Sequence, residues 1–205
     1  MSKKEEFLEI YKTNIKREGA DKLLKYLESS DFFTAPASSK FHSNYVGGLC
    51  DHSVCVYHRL KNLVIAEYGE KYWEYFKDKD AQASQEKADE SLAIMGLLHD
   101  VCKIGTYKVD YRNVKVDDVW TKQPYFAVQD ELPFGHGEKS VYMISGFMKL
   151  SREEAMAINW HMNGYDLRVK SGSNAISDAY YQYPIAVLLA DADLTATYLD
   201  EKIEK

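Results

Sequence analysis

The sequence predicts an all-α domain that carries one small β-hairpin. Apolar residues recur at the three- and four-residue spacing of helices through most of the chain. Residues 106–128 differ, because Val, Tyr and Thr dominate two runs that flank Asp117-Asp118, a pattern typical of a hairpin. With 205 residues, of which 45% are hydrophobic and 28% charged, the chain has the size and composition of one globular domain. We therefore predict a single domain over residues 1–205, with 1–30 as an N-terminal helical extension.

The predicted helices are periodic apolar runs that end at glycine, proline or polar stretches. They are one or two helices within 1–30 with a break at Gly19, then 51–68, 73–77, 91–103 with Gly105 after it, 138–149, 152–162, and 182–200 with Pro184 in its first turn. Residues 31–48 form a predicted loop, and residues 78–90 form a predicted polar connection into the next helix. The helix over 91–103 is the most apolar, which places it at the centre of the domain.

Charge and cysteine content narrow the functional classes. The formal net charge of −6 argues against a broad nucleic-acid-binding surface, which needs a basic face. A nucleotide or short oligonucleotide is compatible with this negative charge, since a bound metal supplies local positive charge. No apolar run reaches the ~20 residues of a membrane span, and the charged start lacks a signal peptide's apolar segment. Cys50, Cys55 and Cys102 form no CxxC pair, so we expect reduced, buried thiols in a cytoplasmic protein.

His99 and Asp100 form the first candidate for chemistry, because they follow the apolar run IMGLL. A carboxylate beside an imidazole on a buried helix is costly unless something compensates both. A divalent cation at the helix surface can take a ligand from each, although a lone His-Asp dipeptide is more often structural. His52 lies on the inward face of its helix, where a histidine is usually a satisfied core residue. His58 points elsewhere, and we expect it at the surface or boundary.

Two further histidines and two aspartates complete the candidate set. His136 lies between glycines in FGHGEKS, where the backbone can approach a cavity, although a helix cap or an ordinary loop histidine is the structural alternative. His161 closes the helix over 152–162, where the helix dipole alone favours a histidine. On the last helix, Asp193 lies about 80° from the centre of the apolar face and Asp191 about 120°. Asp193 is therefore the better candidate, with Asp191 as the alternative.

Together these positions supply four imidazoles and two carboxylates from five separate segments. That is a ligand set for one or two divalent ions of the first transition series, and Mn, Fe, Co, Ni and Zn suit it about equally. The sequence carries no signal of oligomeric state.

The ordered motifs GGLCDHS, LLHDVCKIG, GHGEKS, NWHMNGYD and LADADLTATYLD resemble the HD-domain superfamily of metal-dependent phosphohydrolases. The likeness is greatest to small single-domain members from Gram-positive bacteria and their phages, and it covers about residues 32–201. It implies an HD-domain helical bundle with a five-helix core and a β-hairpin insertion. It also implies a metal held by His52, His99, Asp100 and the late aspartate, which the trailing ATYLDE places at Asp193. His136 and His161 match the added histidines of binuclear subfamilies, in which Asp100 would bridge the two metals. Lys103 matches a lysine that faces the substrate phosphate.

The resemblance implies hydrolysis of a phosphate monoester or diester, with Asp100 and Lys103 as catalytic residues. The expected substrate is a small phosphorylated molecule, a nucleotide or a short oligonucleotide. Further candidate substrate contacts lie near the motifs in sequence, although each such residue is more often structural or solvent-exposed: His42, Tyr45, Arg112, Lys139 and Asn163. Two alternatives stay open: a di-iron oxygenase, which uses the same ligand pattern, and a non-catalytic module that binds a nucleotide or a protein through a retained metal site.

Overall fold

Helices and one hairpin make up the computed structural model, which describes residues 1–76 and 84–201. The α-helices of the described residues are α1 Lys3–Asn14, α2 Ala20–Ser29, α3 Gly48–Tyr68, α4 Gln85–Leu98, α5 His136–Ser145, α6 Arg152–Trp160, α7 Leu167–Lys170, α8 Ala175–Gln182 and α9 Ile185–Thr195. Short 3-10 turns cover Tyr72–Glu74, Val101–Lys103 and Asn163–Tyr165, and a π-helical turn covers Ala196–Asp200. The prediction of a helical fold with one small hairpin is thus confirmed.

The hairpin pairs β1, Tyr107–Val116, with β2, Val119–Val128, in antiparallel register. Asp117 and Asp118 connect the strands, with φ angles of 48° and 64°. Two positive φ angles in a two-residue connection match the twist of the strands, and aspartate tolerates this conformation better than most residues. Both strands are mostly exposed, so the hairpin extends from the helical body. Its first residue, Tyr107, follows shortly in sequence after the 3-10 turn Val101–Lys103.

The apolar core lies where α3, α4, α6 and α9 pack on one another, and α1 covers α3 and α4. Its fully buried side chains include Leu60 of α3, Leu92 of α4, Ile158 of α6 and Leu189 of α9. The apolar run of α4 is buried on nearly every side, which confirms the central place predicted from its composition. None of the helices over 1–76 and 84–201 combines the length and the hydropathy of a bilayer span.

The predicted helix over 91–103 is wrong at both ends. α4 begins at Gln85, because the Ser84 side chain accepts a hydrogen bond from the amide of Lys87 and caps the first turn. The polar residues 85–90 therefore belong to the helix, with Ala88 buried, and not to a connection. The helix ends at Leu98, and the backbone reaches the 3-10 turn through Asp100, whose φ of −108° leaves the helical region.

Other predicted boundaries also change. The helix expected over 73–77 is the 3-10 turn Tyr72–Glu74; residue 77, and residues 78–83 of the predicted connection, lie outside the described residues. Pro184 precedes the first residue of α9, at the position that caps it. α7 and α8 were not predicted, because α7 has four residues and α8 has eight, with only a short apolar face around Ala179.

Gly96 lets α3 and α4 approach closely. A Cβ atom at this position would lie 2.5 Å from the Cα of Tyr57, inside the backbone of the facing helix. No contact of that kind can be relieved by rotating a side chain, so the two helices would have to separate. The close approach matters for the site, because His52 lies on α3 and His99 follows the last residue of α4.

We expect Gly96→Ala to lower the free energy of unfolding by about 2 kcal/mol, because overpacking outweighs the gain in helix propensity. Chemical denaturation measures the change. Gly164→Ala is the control, since a Cβ there meets nothing within 4 Å. Equal stabilities of Gly96→Ala and the unsubstituted protein would mean that the α3–α4 contact is not tight.

Candidate metal centre

His52 and His99 meet at the contact between α3 and α4. Both are fully buried, and their Nε2 atoms lie 3.2 Å apart. The Nδ1 of His99 donates to the carbonyl of Gly96 at 2.9 Å, so its hydrogen is on Nδ1 and the lone pair of Nε2 faces His52. Burial lowers the pKa of His99 to about 3, which keeps this imidazole neutral. A neutral imidazole with a fixed tautomer is the form that binds metal.

His161 repeats this arrangement at the end of α6. Its Nδ1 donates to the carbonyl of Ile158 at 2.6 Å, which leaves the lone pair of Nε2 available. That Nε2 is buried and has no hydrogen-bond partner among the described residues. It lies 3.5 Å from Oδ1 of Asp100. Buried polar atoms are rarely left unsatisfied, so this nitrogen points to a partner such as a cation.

Asp100 lies between two pairs of histidines and is 2% exposed. Its Oδ2 lies 3.5 Å from Nε2 of His52 and 3.6 Å from Nε2 of His99. Its Oδ1 lies 2.6 Å from Nε2 of His136 and 3.5 Å from Nε2 of His161. Each carboxylate oxygen thus faces one pair, which is the geometry of a carboxylate that can serve two neighbouring cations.

The charge of Asp100 is held in place by Lys103, whose Nζ donates to Oδ2 at 2.5 Å. Burial raises the pKa of Asp100, but Lys103 and the nearby imidazoles hold it well below its usual range. Burial lowers the pKa of Lys103, and Asp100 raises it above its ordinary value. Both groups are therefore charged at neutral pH.

Asp193 supplies the second carboxylate from α9. Its Oδ1 lies 3.2 Å from Nε2 of His52, whereas Asp191 is exposed. Burial raises the pKa of Asp193, but the hydrogen bond and charge of His52 hold it below its usual range. The structure thus brings together all six residues that were proposed as metal ligands: His52, His99, Asp100, His136, His161 and Asp193. We call this set the histidine–aspartate cluster.

His136 reaches the cluster from the first turn of α5. A Cβ at the next residue, Gly137, would lie 2.3 Å from the carbonyl oxygen of Asn159, so only glycine allows α5 to pack this closely on α6. His136 is 31% exposed, more than the other ligand candidates, because its ring borders a cavity. Burial lowers its pKa, but Cys102 and Asp100 raise it to about 10.

Ligand atoms of the described residues form several sets that could hold an ion, with the atoms of each set within 4.8 Å of one another. They are His52, His99 and Asp100; His99, His161 and Asp193; Asp100, Cys102 and His136; and His42, His52 and Glu201. All four sets are connected through shared members, because the first three share His99 or Asp100 and the fourth shares His52 with the first.

Glu201 is a residue of this region that the sequence did not single out. Its Oε1 lies 2.6 Å from Nδ1 of His52, and its Oε2 accepts a hydrogen bond from Oγ of Ser43 at 2.5 Å. A carboxylate that accepts from Nδ1 turns Nε2 toward the cluster and raises the basicity of the ring. Burial lowers the pKa of His52, but Asp193 and Glu201 raise it to about 9. The two partners are 149 residues apart, so no local pattern could link them.

We expect Glu201→Ala to weaken metal binding by about 10- to 100-fold, because His52 loses the group that orients it. Glu201→Gln, which keeps a neutral acceptor, should recover part of that loss. Calorimetric titration with a divalent cation measures the affinities. Asp200→Ala is the matched control, since Asp200 pairs with Arg59 at the surface. Unchanged affinity in Glu201→Ala would mean that Glu201 does not position His52.

A cavity of about 360 Å³ opens beside Asp100. Its lining includes Lys103, His136, Lys139 and Arg168. Lys139 donates to Asp130 at 2.6 Å, so its charge is already paired. Arg168 stacks over the ring of Trp160 and was not singled out from the sequence, since no motif contains it. The cavity thus places two of the proposed substrate-facing residues, Lys103 and Lys139, next to the cluster.

The other proposed substrate contacts lie in different surroundings. The ring of His42 is 4.9 Å from the ring of His52, and burial together with the charge of His52 lowers the pKa of His42 to about 4. The hydroxyl of Tyr45 donates to Asp51 at 2.9 Å. Arg112 lies on the hairpin with its guanidinium above a tyrosine ring, and Asn163 begins a 3-10 turn with a φ of 50°. These placements leave the proposed roles as predictions.

His58 lies at the surface, as predicted, and its Nε2 is 2.7 Å from Oε1 of Glu6. The three cysteines are free thiols, in agreement with the sequence. Cys50 and Cys102 are buried, and Cys55 is partly buried. Cys102 differs from a simple core residue, because its Sγ lies 3.4 Å from Nε2 of His136.

The fold and the site define a helical protein with a buried cluster of histidine and carboxylate side chains at metal-ligand distances. Comparisons of the chain with protein-family models, with curated proteins and with solved structures gave no match.

Proposed function

We propose that the chain is an HD-domain phosphohydrolase that uses one or two divalent transition-metal ions to hydrolyse a phosphate monoester or diester. The observation that carries the proposal is the position of Asp100, whose two oxygens face two different pairs of imidazoles. The order of the motifs along the chain, which resembles that of the HD superfamily, adds independent support.

The donor set supports metal binding of a particular kind. Four imidazoles and two carboxylates suit Mn, Fe, Co, Ni or Zn better than Mg or Ca, which prefer oxygen ligands. The rings of His99 and His161 are each oriented by a hydrogen bond from Nδ1 to a backbone carbonyl, and Nε2 of His161 has no hydrogen bond within the described residues. When bound, such ions activate water and offset phosphate charge.

The residues around the cavity have separate tasks in this proposal. Asp100 and the histidines hold the ions, while Lys103 presents a permanent positive charge to the phosphate. Lys103 can stabilise the charge of Asp100 and also face the phosphate, because its Nζ contacts Oδ2 of Asp100 and its side chain borders the cavity. Three aromatic rings, those of Tyr107, Phe134 and Tyr165, line the same cavity and can pack against a base or another ring.

The size of the cavity supports a small substrate. Its volume of about 360 Å³ lies within the range of small-molecule sites and suits a single nucleotide. The net charge of −6 opposes a long nucleic acid. Lys103, Lys139 and Arg168 line the cavity but are each paired with a carboxylate, so bound ions would supply the positive charge that faces a phosphate. We therefore favour a nucleotide or the end of a short oligonucleotide as the substrate.

Phosphate release by metal-reconstituted protein tests this function. The protein is stripped with a chelator, reloaded separately with Mn, Fe, Co, Ni and Zn, and assayed on nucleoside monophosphates, cyclic nucleotides, dinucleotides and an aryl diester. We expect hydrolysis of at least one class with at least one metal, and none without metal. His58→Ala, at a surface histidine, should behave like the unsubstituted protein. No hydrolysis in any combination would overturn the proposal.

Two outcomes of the same experiment would favour the alternatives. Oxygen consumption by the iron-loaded protein with a small organic substrate, and no phosphate release, would favour a di-iron oxygenase. Tight nucleotide binding without turnover would favour a non-catalytic module.

A further inference from the structure

We propose that Cys102 is a thiolate ligand of the metal position formed by His136, His161 and Oδ1 of Asp100. This inference rests on metal binding by the histidine–aspartate cluster, but it does not depend on the reaction that the metal serves. It gives the two metal positions different chemistry, because the position formed by His52, His99 and Asp193 offers nitrogen and oxygen ligands.

The distances around Cys102 fit ligands of one ion. Its Sγ lies 3.4 Å from Nε2 of His136, 3.6 Å from Nδ1 of the same ring and 4.0 Å from Oδ1 of Asp100, so the partly exposed ring would turn for Nε2 and Sγ to bind one ion. A sulfur and a nitrogen bound to one tetrahedral ion, at about 2.3 and 2.0 Å from it, lie about 3.5 Å apart. A hydrogen bond from a thiol to an imidazole has a similar length, so the two explanations need an experiment that detects the metal–sulfur bond itself.

His161 supplies an independent sign of a cation beside Asp100, because its Nε2 lies 3.5 Å from Oδ1 of Asp100 and also within 4.8 Å of ligand atoms of His99 and Asp193. It is 1% exposed, its Nε2 has no hydrogen-bond partner in residues 1–76 and 84–201, and its ring lies 5.3 Å from the ring of His136. Its Nδ1 already donates to a backbone carbonyl, so in the neutral ring the lone pair of Nε2 is free to bind a metal. An ion between His136, His161 and Asp100 would satisfy this nitrogen.

The end of α4 explains how Cys102 reaches the cluster. In a continuous α-helix, residues two apart point about 200° from each other, so Cys102 would face away from Asp100. The α-helix instead ends at Leu98 and a 3-10 turn begins at Val101. The amide of Cys102 donates to Oγ of Ser140 on α5, which holds the turn against the helix that carries His136.

A thiolate ligand has a consequence for metal selection. Soft thiolates favour Zn, Co and Fe over Mn, which prefers oxygen and nitrogen. On binding, the Cys102 thiol loses its proton to solvent and its sulfur forms the bond to the ion, so the step needs no oxidant or reductant. The position that contains Cys102 should therefore discriminate against Mn more strongly than the other position.

Optical titration of the metal-free protein with Co²⁺ tests the inference. We expect the near-ultraviolet charge-transfer band of a thiolate bound to cobalt. Cys102→Ser should lose this band while the imidazole and carboxylate position still binds cobalt. The double variant Cys50→Ala/Cys55→Ala leaves Cys102 as the sole cysteine of the chain and should keep the band, a result that does not require Cys102→Ser to fold.

The outcomes separate this inference from the proposed function. Bound cobalt without the band, or a band that persists in Cys102→Ser, would overturn the thiolate ligand and leave a phosphohydrolase intact. The band without hydrolysis of any ester would support the ligand and overturn the function. No cobalt binding at all would overturn the thiolate ligand, and it would overturn the function only if Mn, Fe, Ni and Zn also failed to bind.

Discussion

Under the proposed function, Asp100→Asn is expected to abolish hydrolysis, with a loss of at least ~10³-fold, and to weaken the binding of metal. The reason is geometric and electrostatic. Asp100 is the residue whose two oxygens face both histidine pairs, and its charge is the one that Lys103 and the imidazoles stabilise. An amide keeps the shape of the side chain but cannot supply a negative oxygen on each side. Assays of phosphate release and elemental analysis of the same sample measure both losses.

Asp191→Asn is the matched control, because Asp191 is an exposed aspartate two residues from Asp193 on the same helix. It should keep full activity and metal content. Circular dichroism and a thermal melt of Asp100→Asn distinguish loss of the site from loss of the fold. A folded Asp100→Asn variant with ordinary metal content would contradict the assignment of Asp100 as the shared ligand.

Lys103→Met should lower kcat by about 10²- to 10³-fold while the metal content stays unchanged. The methionine keeps the length of the side chain and removes its charge. Lys103 lines the cavity and contacts Asp100, so in the proposed function it offsets charge on the phosphate as the reaction proceeds. Removing a cation beside the ligands does not weaken their hold on another cation, since like charges repel.

Lys115→Met is a suitable control, because Lys115 lies on the hairpin and pairs with Asp118 at the surface. Comparing kcat with metal content distinguishes the two possible roles of Lys103, which are contact with the phosphate and support of the ligand Asp100. Loss of metal together with activity would show that Lys103 supports the ligand Asp100. An unchanged kcat would remove Lys103 from the reaction.

The fold was predictable where apolar periodicity is long and uninterrupted, as in α3, and where Val, Tyr and Thr dominate, as in the hairpin. It was less predictable where capping decides the boundary. Ser84 starts α4 six residues before its apolar run, and a polar first turn looks like a loop in the sequence. α8 shows the other limit, because its apolar face of Ile176, Ala179 and Tyr180 is too short to give a clear periodic pattern.

The site was predictable as a set of residue types and less so as a geometry. The helical wheel separated Asp193 from Asp191 because it measures the direction of a side chain around an axis. It could not find Cys102, whose direction depends on the point at which α4 ends. It could not find Glu201 either, because the contact with His52 joins opposite ends of the chain. Tertiary contacts of this kind carry no local signal.

Diffraction from crystals soaked with cobalt, recorded at the cobalt absorption edge, tests the shared-cation centre most directly. We predict anomalous peaks on the two sides of Asp100, one within bonding distance of His52, His99 and Asp193, and one within bonding distance of His136 and His161. An ordered cluster with no anomalous peak, or cobalt bound only at surface residues, would contradict the account.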